Sequence, residues 1–354
     1  MAIAMLADDR KWPVRQILLI AKPLMLGLPH ATKDSVYSNP YKLRSAASSS
    51  AKARGFRRVI FLMISSLLGV CGGMCADQTT VPRVVLISGA SSGIGEAATR
   101  VFHHAGWHVW GGSRHPATSS SPTLRTCRLD VTDAKSVEEC VGEIIRQEGR
   151  LDLLINNAWI GLVGGEESVT IEEVQHLFDV NVFGVLRLTQ AVLPIMRSQR
   201  SGLILNISSL AGIQSLPGIG AYASSKWALE GLTESLAATV EQWGIQVVSV
   251  QPGFVGTHFA QNSTVGTRAC NEPWYAQFSE QLCRWMDQGM VDGQSAEDVA
   301  RLLLKIAEDP SPQPRYQTTK GGQKFAASLQ VDPTGSQQKV GHLQFLRDLQ
   351  EGGS

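Results

Sequence analysis

The sequence predicts an α/β fold with a doubly wound, mostly parallel sheet and helices on both of its faces, and three observations predict it. Short runs of β-branched and apolar residues alternate with amphipathic stretches of helical period between residues 84 and 319, the pattern of successive βαβ units. A glycine-rich turn stands between the first such run and the first helical stretch. The 354 residues are 43% hydrophobic and 18% charged, enough apolar material for one domain of roughly 250 residues with further segments left over.

The elements follow in order. Val84 to Ser88 reads as a buried strand and runs into Gly89-Ala90-Ser91-Ser92-Gly93-Ile94-Gly95, with a helix from Glu96 to Ala105. Glycines there permit a tight turn and let backbone N–H groups reach a diphosphate at a helix N-terminus, where the dipole favours negative charge. His108 to Gly112 is a second strand, followed by Ser113 and Arg114. In a dinucleotide site the end of this strand faces the adenosine ribose. An arginine there, with no acid, suits a 2′-phosphate and favours NADP(H) over NAD(H). After a loop from Pro116 to Pro122, Thr126 to Leu129 is a third strand ending at Asp130, a candidate adenine contact. A helix from Asp133 to Arg150 leads to a fourth strand, Leu151 to Ile155, and then Asn156-Asn157-Ala158-Trp159.

Ile171 to Arg200 reads as a long helix in two parts with Asn181, a mediocre helix former, inside it. Leu203 to Asn206 is the fifth strand and enters Ile207-Ser208-Ser209. Gly212 to Gly220 is a loop, and Ala221 to Trp243 the next helix. Within it Tyr222 and Lys226 stand four apart and share a face. A free phenol, pKa ~10, is a poor base at neutral pH. A neighbouring ammonium is expected to pull that value down and let the tyrosine exchange a proton with a substrate oxygen held by Ser209. Ile245 to Val250 is the sixth strand, ending in Gln251-Pro252-Gly253-Phe254-Val255-Gly256-Thr257. Residues 258–293 lose periodicity and are rich in aromatics, read as a lid over an apolar substrate. Ser295 caps an amphipathic helix to Ala307, and Arg315 to Thr319 is the last candidate strand.

This divides the chain into a leader, 1–80, a catalytic domain, 81–320, and a polar tail, 321–354. Residues 1–76 hold eleven Lys/Arg and three Asp/Glu, a balance of +8, so a net charge of +1 leaves −7 for the remainder. Nothing in that balance favours nucleic acid. Arg54, Arg57 and Arg58 precede an apolar run from Val59 to Val70, which resembles a signal peptide or anchor. Extended to Ala76 it sits at the short edge of the ~17–25 residues that span a bilayer. Membrane association through 59–76 and a cytoplasmic protein whose translation starts at Met63 or Met74 both remain open. The six cysteines, at 71, 75, 127, 140, 270 and 283, form no C-x-x-C and pair with no histidine at ligand spacing. No metal is expected, and the thiols are expected to be reduced.

In this order the pieces resemble the short-chain dehydrogenase/reductase family over roughly residues 82–320. The match comprises Gly89-x-x-x-Gly93-x-Gly95, Asn156-Asn157-Ala158, Asn181, Ser209, Tyr222-x-x-x-Lys226 and Pro252-Gly253-x-x-x-Thr257, with Tyr222 thirteen residues after Ser209. The resemblance implies a Rossmann-type sheet of about seven parallel strands. A narrower similarity is to the branch holding photoreceptor-type retinol dehydrogenase and 17β-hydroxysteroid dehydrogenase type 1. It rests on Gly161-Leu162-Val163-Gly164, Ala191-Val192-Leu193-Pro194, Lys226-Trp227-Ala228-Leu229-Glu230-Gly231 and Arg315-Tyr316-Gln317-Thr318. That branch implies large apolar alcohols or ketones as substrates, NADP(H) and a homodimer.

Carried over, the resemblance makes Tyr222 the acid/base, Lys226 its modulator and a ribose ligand, and Ser209 the group that polarises the carbonyl. Asn181 holds a water of a proton relay. Gly89, Ser91, Ser92, Gly93, Ile94, Gly95, Arg114, Asp130, Asn157 and Ala158 face the cofactor, with Pro252, Gly253, Val255 and Thr257 on its carboxamide. One departure is Trp159, where the family has glycine. A bulky indole there raises the alternative of a cofactor-binding scaffold without catalysis, and a small polar substrate is the third reading.

Overall fold

The computed structural model describes residues 81–117, 121–257, 263–268, 273–329, 340–341, 344–345 and 347–348. Among them β1 (Val84–Ser88), β2 (His108–Ser113), β3 (Leu124–Arg128), β4 (Leu153–Asn156), β5 (Gly202–Ile207), β6 (Ile245–Gln251) and β7 (Arg315–Gln317) form one sheet in the order β7-β6-β5-β4-β1-β2-β3. Every neighbouring pair is parallel, as the sequence predicts. The chain winds outward from β1 to β3, then crosses back to β4. This opens a crevice between the carboxyl ends of β1 and β4, the place where such sheets hold ligands.

Every residue of β1, β4 and β5 is buried. Strands covered on both faces read as unbroken apolar runs, which is why the sequence displays them so plainly. Alternate side chains go to opposite layers. Val85 and Ile87 pack with Ala98, Val101 and Phe102 of α1 (Gly93–His104), and with further residues supplied later in the chain, Val299, Leu303 and Ile306. Val84 and Leu86 pack on the other face with Val137, Val141 and Ile144 of α2 (Ala134–Glu148). There α3 (Ile171–Phe178) leads to α4 (Gly184–Gln199), which adds Leu188, Val192 and Met196, and α5 (Gly220–Val240) adds Val240. The remaining helices are α6 (Pro273–Val291), α7 (Ala296–Glu308), which carries Val299, Leu303 and Ile306, and α8 (Lys320–Leu329).

Local chemistry sets the helix ends. The Asp133 carboxylate accepts from Lys135 N at 3.0 Å, and Gly149, at φ +70°, closes α2. Thr170 and Glu173 form a reciprocal capping box on α3, and Ser295 Oγ accepts from Asp298 N at 3.0 Å at the start of α7.

Several expectations shift. Helix α1 begins at Gly93 rather than Glu96, so Gly93 and Gly95 form its first turn. The two parts expected for the helix from Ile171 to Arg200 are α3 and α4, and what joins them is a π-helical turn, Asp179–Phe183, which carries Asn181. The lid region is more regular than its sequence: Ser263–Val265 pairs in parallel with Gly161–Val163, and α6 is continuous. The apolar run at 59–76, Phe259 and Cys71, Cys75 and Cys270 lie outside the described residues.

One expectation is overturned. Cys127 of β3 and Cys140 of α2 form a disulfide, where reduced thiols were expected. The strand and the helix that folds back on it bring the two Cα atoms to 5.7 Å, within the bridging range, although the sequence separation alone announces nothing. Cys283 is a half-buried free thiol. Intact-mass mapping after alkylation should find Cys127 and Cys140 unlabelled until the protein is reduced. Cys140→Ala should lower unfolding free energy in urea by about 2–4 kcal/mol.

Candidate active site

The turn after β1 is built by close approach. Gly89 and Gly93 take left-handed backbone angles, φ +65° and +56°, that side chains disfavour. A Cβ at Gly95 would lie 2.2 Å from the Gly89 carbonyl oxygen and 2.6 Å from Asn157 Nδ2, so only hydrogen fits. Asn157 Nδ2 donates to the carbonyls of Ser88 and Gly89, at 3.0 and 3.1 Å. Ser88 Oγ accepts from the N–H groups of Asn157 and Ala158, at 2.9 and 3.0 Å. The end of β4 thereby clamps the glycine turn. Ser92, at the N-cap of α1, makes no side-chain cap, so the first N–H groups of the helix stay available to an anion.

At the far end of the same crevice stands the tyrosine. Tyr222 and Lys226 lie buried on one face of α5, with the Lys226 ammonium 5.8 Å from the Tyr222 ring centroid. Lys226 Nζ donates to the Ile207 carbonyl at 3.0 Å. Ser209 is hydrogen-bonded to Tyr222, and its Oγ also accepts from Ala211 N at 3.0 Å, which fixes the hydroxyl at the mouth of β5. Burial pushes the Tyr222 phenol up to about 12, with the Ser209 hydrogen bond opposing it. Burial likewise brings Lys226 down to about 8, with the Glu230 charge holding it up. The direction is opposite to the expected one: burial, only partly offset by the Ser209 hydrogen bond, leaves the phenol protonated at neutral pH.

Asn181 is wholly buried and makes a two-way clamp on the backbone of one residue. Its Oδ1 accepts from Ile160 N and its Nδ2 donates to Ile160 O, both at 2.9 Å, and Nδ2 also donates to Ser225 Oγ at 3.1 Å. The side-chain amide ties the segment after β4 to α5. The π-helical turn is what aims it there.

A cavity of about 630 Å³ runs from the glycine turn to Tyr222. It is lined by Gly89, Ser91, Ser92, Gly93 and Ile94, by Asn157 and Ala158, and by Ser209, Tyr222 and Lys226. Pro252, Gly253, Val255 and Thr257 line it from the loop after β6, and Arg114 and Asp130 from the ends of β2 and β3. Of the predicted residues, Gly95 and Asn181 are the two that do not line it. Each shapes the cavity from behind. Asp130 is pushed up by burial and, more strongly, drawn down by its Thr132 hydrogen bonds and by the Arg114 and Arg128 charges, and so stays ionised. Arg114 is exposed and among the described residues enters no ion pair.

Two polar atoms inside this region, Asn157 Oδ1 and Ser208 Oγ, are buried without a hydrogen-bond partner. Together with the glycine cradle and the uncapped helix start, they fit an extended polar cofactor. Trp159 lines the same cavity, while the atoms nearest the cradle glycines belong to Asn157, Ala158 and Thr257. Its indole meets Tyr222 edge to face at 6.1 Å and packs with Leu162, Ile219, Phe278 and Met286. Sequence reasoning missed Met290 and Phe325, which also line the cavity. Phe325 lies on α8, in the stretch read as a polar tail. Its helical period was the one signal available.

The family model described as short chain dehydrogenase matches residues 83–267. 3-Ketodihydrosphingosine reductase of Bacteroides thetaiotaomicron is 36% identical over 65% of this chain and 86% of its own. Retinol dehydrogenase 8 of Bos taurus is 36% identical over 72% and 87%, and 17-beta-hydroxysteroid dehydrogenase type 1 of Mus musculus 34% over 72% and 79%. Among solved structures, a short-chain dehydrogenase from Streptomyces avermitilis superposes with a TM-score of 0.64 at 29% identity, over 78% of this chain and 100% of that one.

The cradle yields a direct test. Gly95→Ala should weaken binding of a nicotinamide dinucleotide by about tenfold or more, since its methyl must displace backbone rather than a pliable side chain. Calorimetric titration of the purified variant measures it.

Proposed function

Because this chain belongs to the short-chain dehydrogenase family, an oxidoreductase family of enzymes acting on CH–OH groups, we propose that it is an NADP(H)-dependent alcohol dehydrogenase/carbonyl reductase for an apolar lipid of retinoid or steroid type. One observation carries the reading: a single cavity has in its lining the glycine cradle, the Ser209–Tyr222 pair and the apolar side chains of Trp159, Leu216, Phe254, Met286 and Phe325. Those apolar side chains offer a long apolar substrate burial. The relatives named for a sphingoid ketone, retinol and a hydroxysteroid support the same class. Arg114, exposed at the cavity rim, supports the 2′-phosphate.

The nicotinamide, when bound, carries the hydride. The glycine cradle and the start of α1 would hold the diphosphate, Lys226 the ribose, and the loop from Pro252 to Thr257 the carboxamide. Ser209, fixed by Ala211 N, positions the substrate oxygen, and Tyr222 passes it a proton as charge develops there. With the phenol protonated at neutral pH, the resting site is an acid, the form that reduction of a carbonyl uses. Lys226 then helps restore the proton. An exposed apolar strip on neighbouring helices, with Phe183, Leu186, Trp227 and Leu232, supports pairing of two copies.

Absorbance at 340 nm, with NADPH and all-trans-retinal, estrone or a long-chain 3-ketone, should report turnover. Its absence across apolar carbonyls, with turnover of short polar ones, would reject the substrate class. Tyr222→Phe should lower kcat by about 10²–10⁴-fold and leave NADPH affinity nearly unchanged. The rate of reduction should be flat at neutral pH and fall as pH rises past about 8, where Lys226 loses its proton. Arg114→Asp should cost NADPH about 10–100-fold in kcat/KM relative to NADH, and an unchanged ratio would remove Arg114 from the cofactor site.

A further inference from the structure

Tyr222, Lys226, Glu230 and Glu234 stand four apart along α5, so they form one line running from the active site to the surface. Lys226 is a buried cation, and among the described residues no carboxylate pairs with it directly; the Ile207 carbonyl accepts from it at 3.0 Å. The carboxylate one turn further on, Glu230, is itself buried. Ser249 Oγ donates to its Oε1 at 2.6 Å. Its Oε2 makes no hydrogen bond, but the Arg315 guanidinium stands against it, with Nε at 3.2 Å. Arg315 reaches in from edge strand β7 and is shared, through a 2.8 Å contact, with exposed Glu234. From the other elements packed on this stretch come Asn181, joined to Ser225, and Asp179, whose charge is taken up by Arg187 at 2.6 Å. His176 lines the cavity beyond them.

We propose that Glu230 is a positioning residue that keeps the proton on Lys226, and that Arg315 weakens this hold by drawing on the same carboxylate. The inference rests on the reading above, in which Lys226 serves the proton transfer at Tyr222. Its physical basis is the scarcity of other counter-charge: a buried ammonium stays charged only if something repays its lost hydration, and Glu230 is the buried carboxylate on its own helix face. The Glu230 field raises the proton affinity of Lys226, in opposition to burial. Arg315 pairs with Oε2 of that carboxylate and offsets part of the field. The terminal strand of the sheet thus tunes the acid range of a site it does not touch.

The two charges predict opposite effects. Glu230→Gln is nearly isosteric and removes the anion, so the alkaline limb of the reduction rate should move down by about one pH unit. Arg315→Gln leaves the anion unshared, so the same limb should move up. A purely structural role would lower activity and stability in both variants with no opposed displacement. Limbs that move together, or stay fixed, overturn the proposal. Lys226 is also to be titrated by ¹³Cε NMR in lysine-labelled protein, its resonance identified by loss in Lys226→Arg. If no carbonyl is turned over, a Lys226 titration displaced in opposite directions sustains this inference while the proposed activity fails. An undisplaced one overturns it. Should Glu230→Gln not fold, partly exposed Arg315 still decides, an unmoved Lys226 in Arg315→Gln counting against the proposal.

Discussion

The site depends on how closely the turn after β1 lies against the segment after β4. Ser88 Oγ collects the N–H groups of Asn157 and Ala158, and Asn157 returns its amide to the carbonyls of Ser88 and Gly89. Two strand ends that share no covalent connection are joined by their own polar atoms, inside the protein, where an unmade hydrogen bond is costly. The contact leaves no room for a side chain at Gly95. The glycines here have two separate duties. Gly89 and Gly93 supply backbone angles, while Gly95 supplies closeness. Once the clamp is made, the start of α1 points into the crevice and the segment carrying Trp159 and Ile160 is delivered to Asn181.

Burial is the second constraint, and it works on Tyr222 and Lys226 in opposite senses. Each loses hydration, so each resists its charged form: the phenol holds its proton to about 12 and the ammonium lets go at about 8. What the pair offers at neutral pH is a proton on the oxygen that faces Ser209 and a positive charge behind it. Both suit an oxygen on which negative charge is growing. The reverse reaction needs the phenol to accept a proton, which alkaline conditions favour.

Much of this was legible in the sequence because parallel strands buried on both faces leave unbroken apolar runs, as at Val84–Ser88 and Leu153–Asn156. The site residues were legible for a related reason: they follow strand ends, where the fold exposes backbone to a ligand. What escaped was encoded in three dimensions. The strands Gly161–Val163 and Ser263–Val265 are three residues each, too short for a pattern, and stabilise one another across about a hundred positions. The Cys127–Cys140 bridge needs the strand and helix to be laid side by side before it has meaning. Asn181 was noticed as a poor helix former, but the π-helical turn that gives it Ile160 as a partner has no signature in local propensity. Arg315 was read as part of a strand, and its charge acquires a role only beside Glu230.

Trp159 shows how one local departure can mislead when the backbone path is unknown. Set beside a glycine-rich cofactor turn in sequence, a large indole reads as an obstruction. In the fold, Asn157 and Ala158 spend their backbone on Ser88, and the next residue has already turned toward the lid. There the ring is half-buried, edge-on to Tyr222, among side chains of α6 that are themselves apolar. The atoms nearest the cradle glycines belong to Asn157, Ala158 and Thr257, while the indole lines the cavity beside the phenol. Tyr222 and Lys226 are buried next to it, and that burial sets the desolvation on which their proton affinities depend.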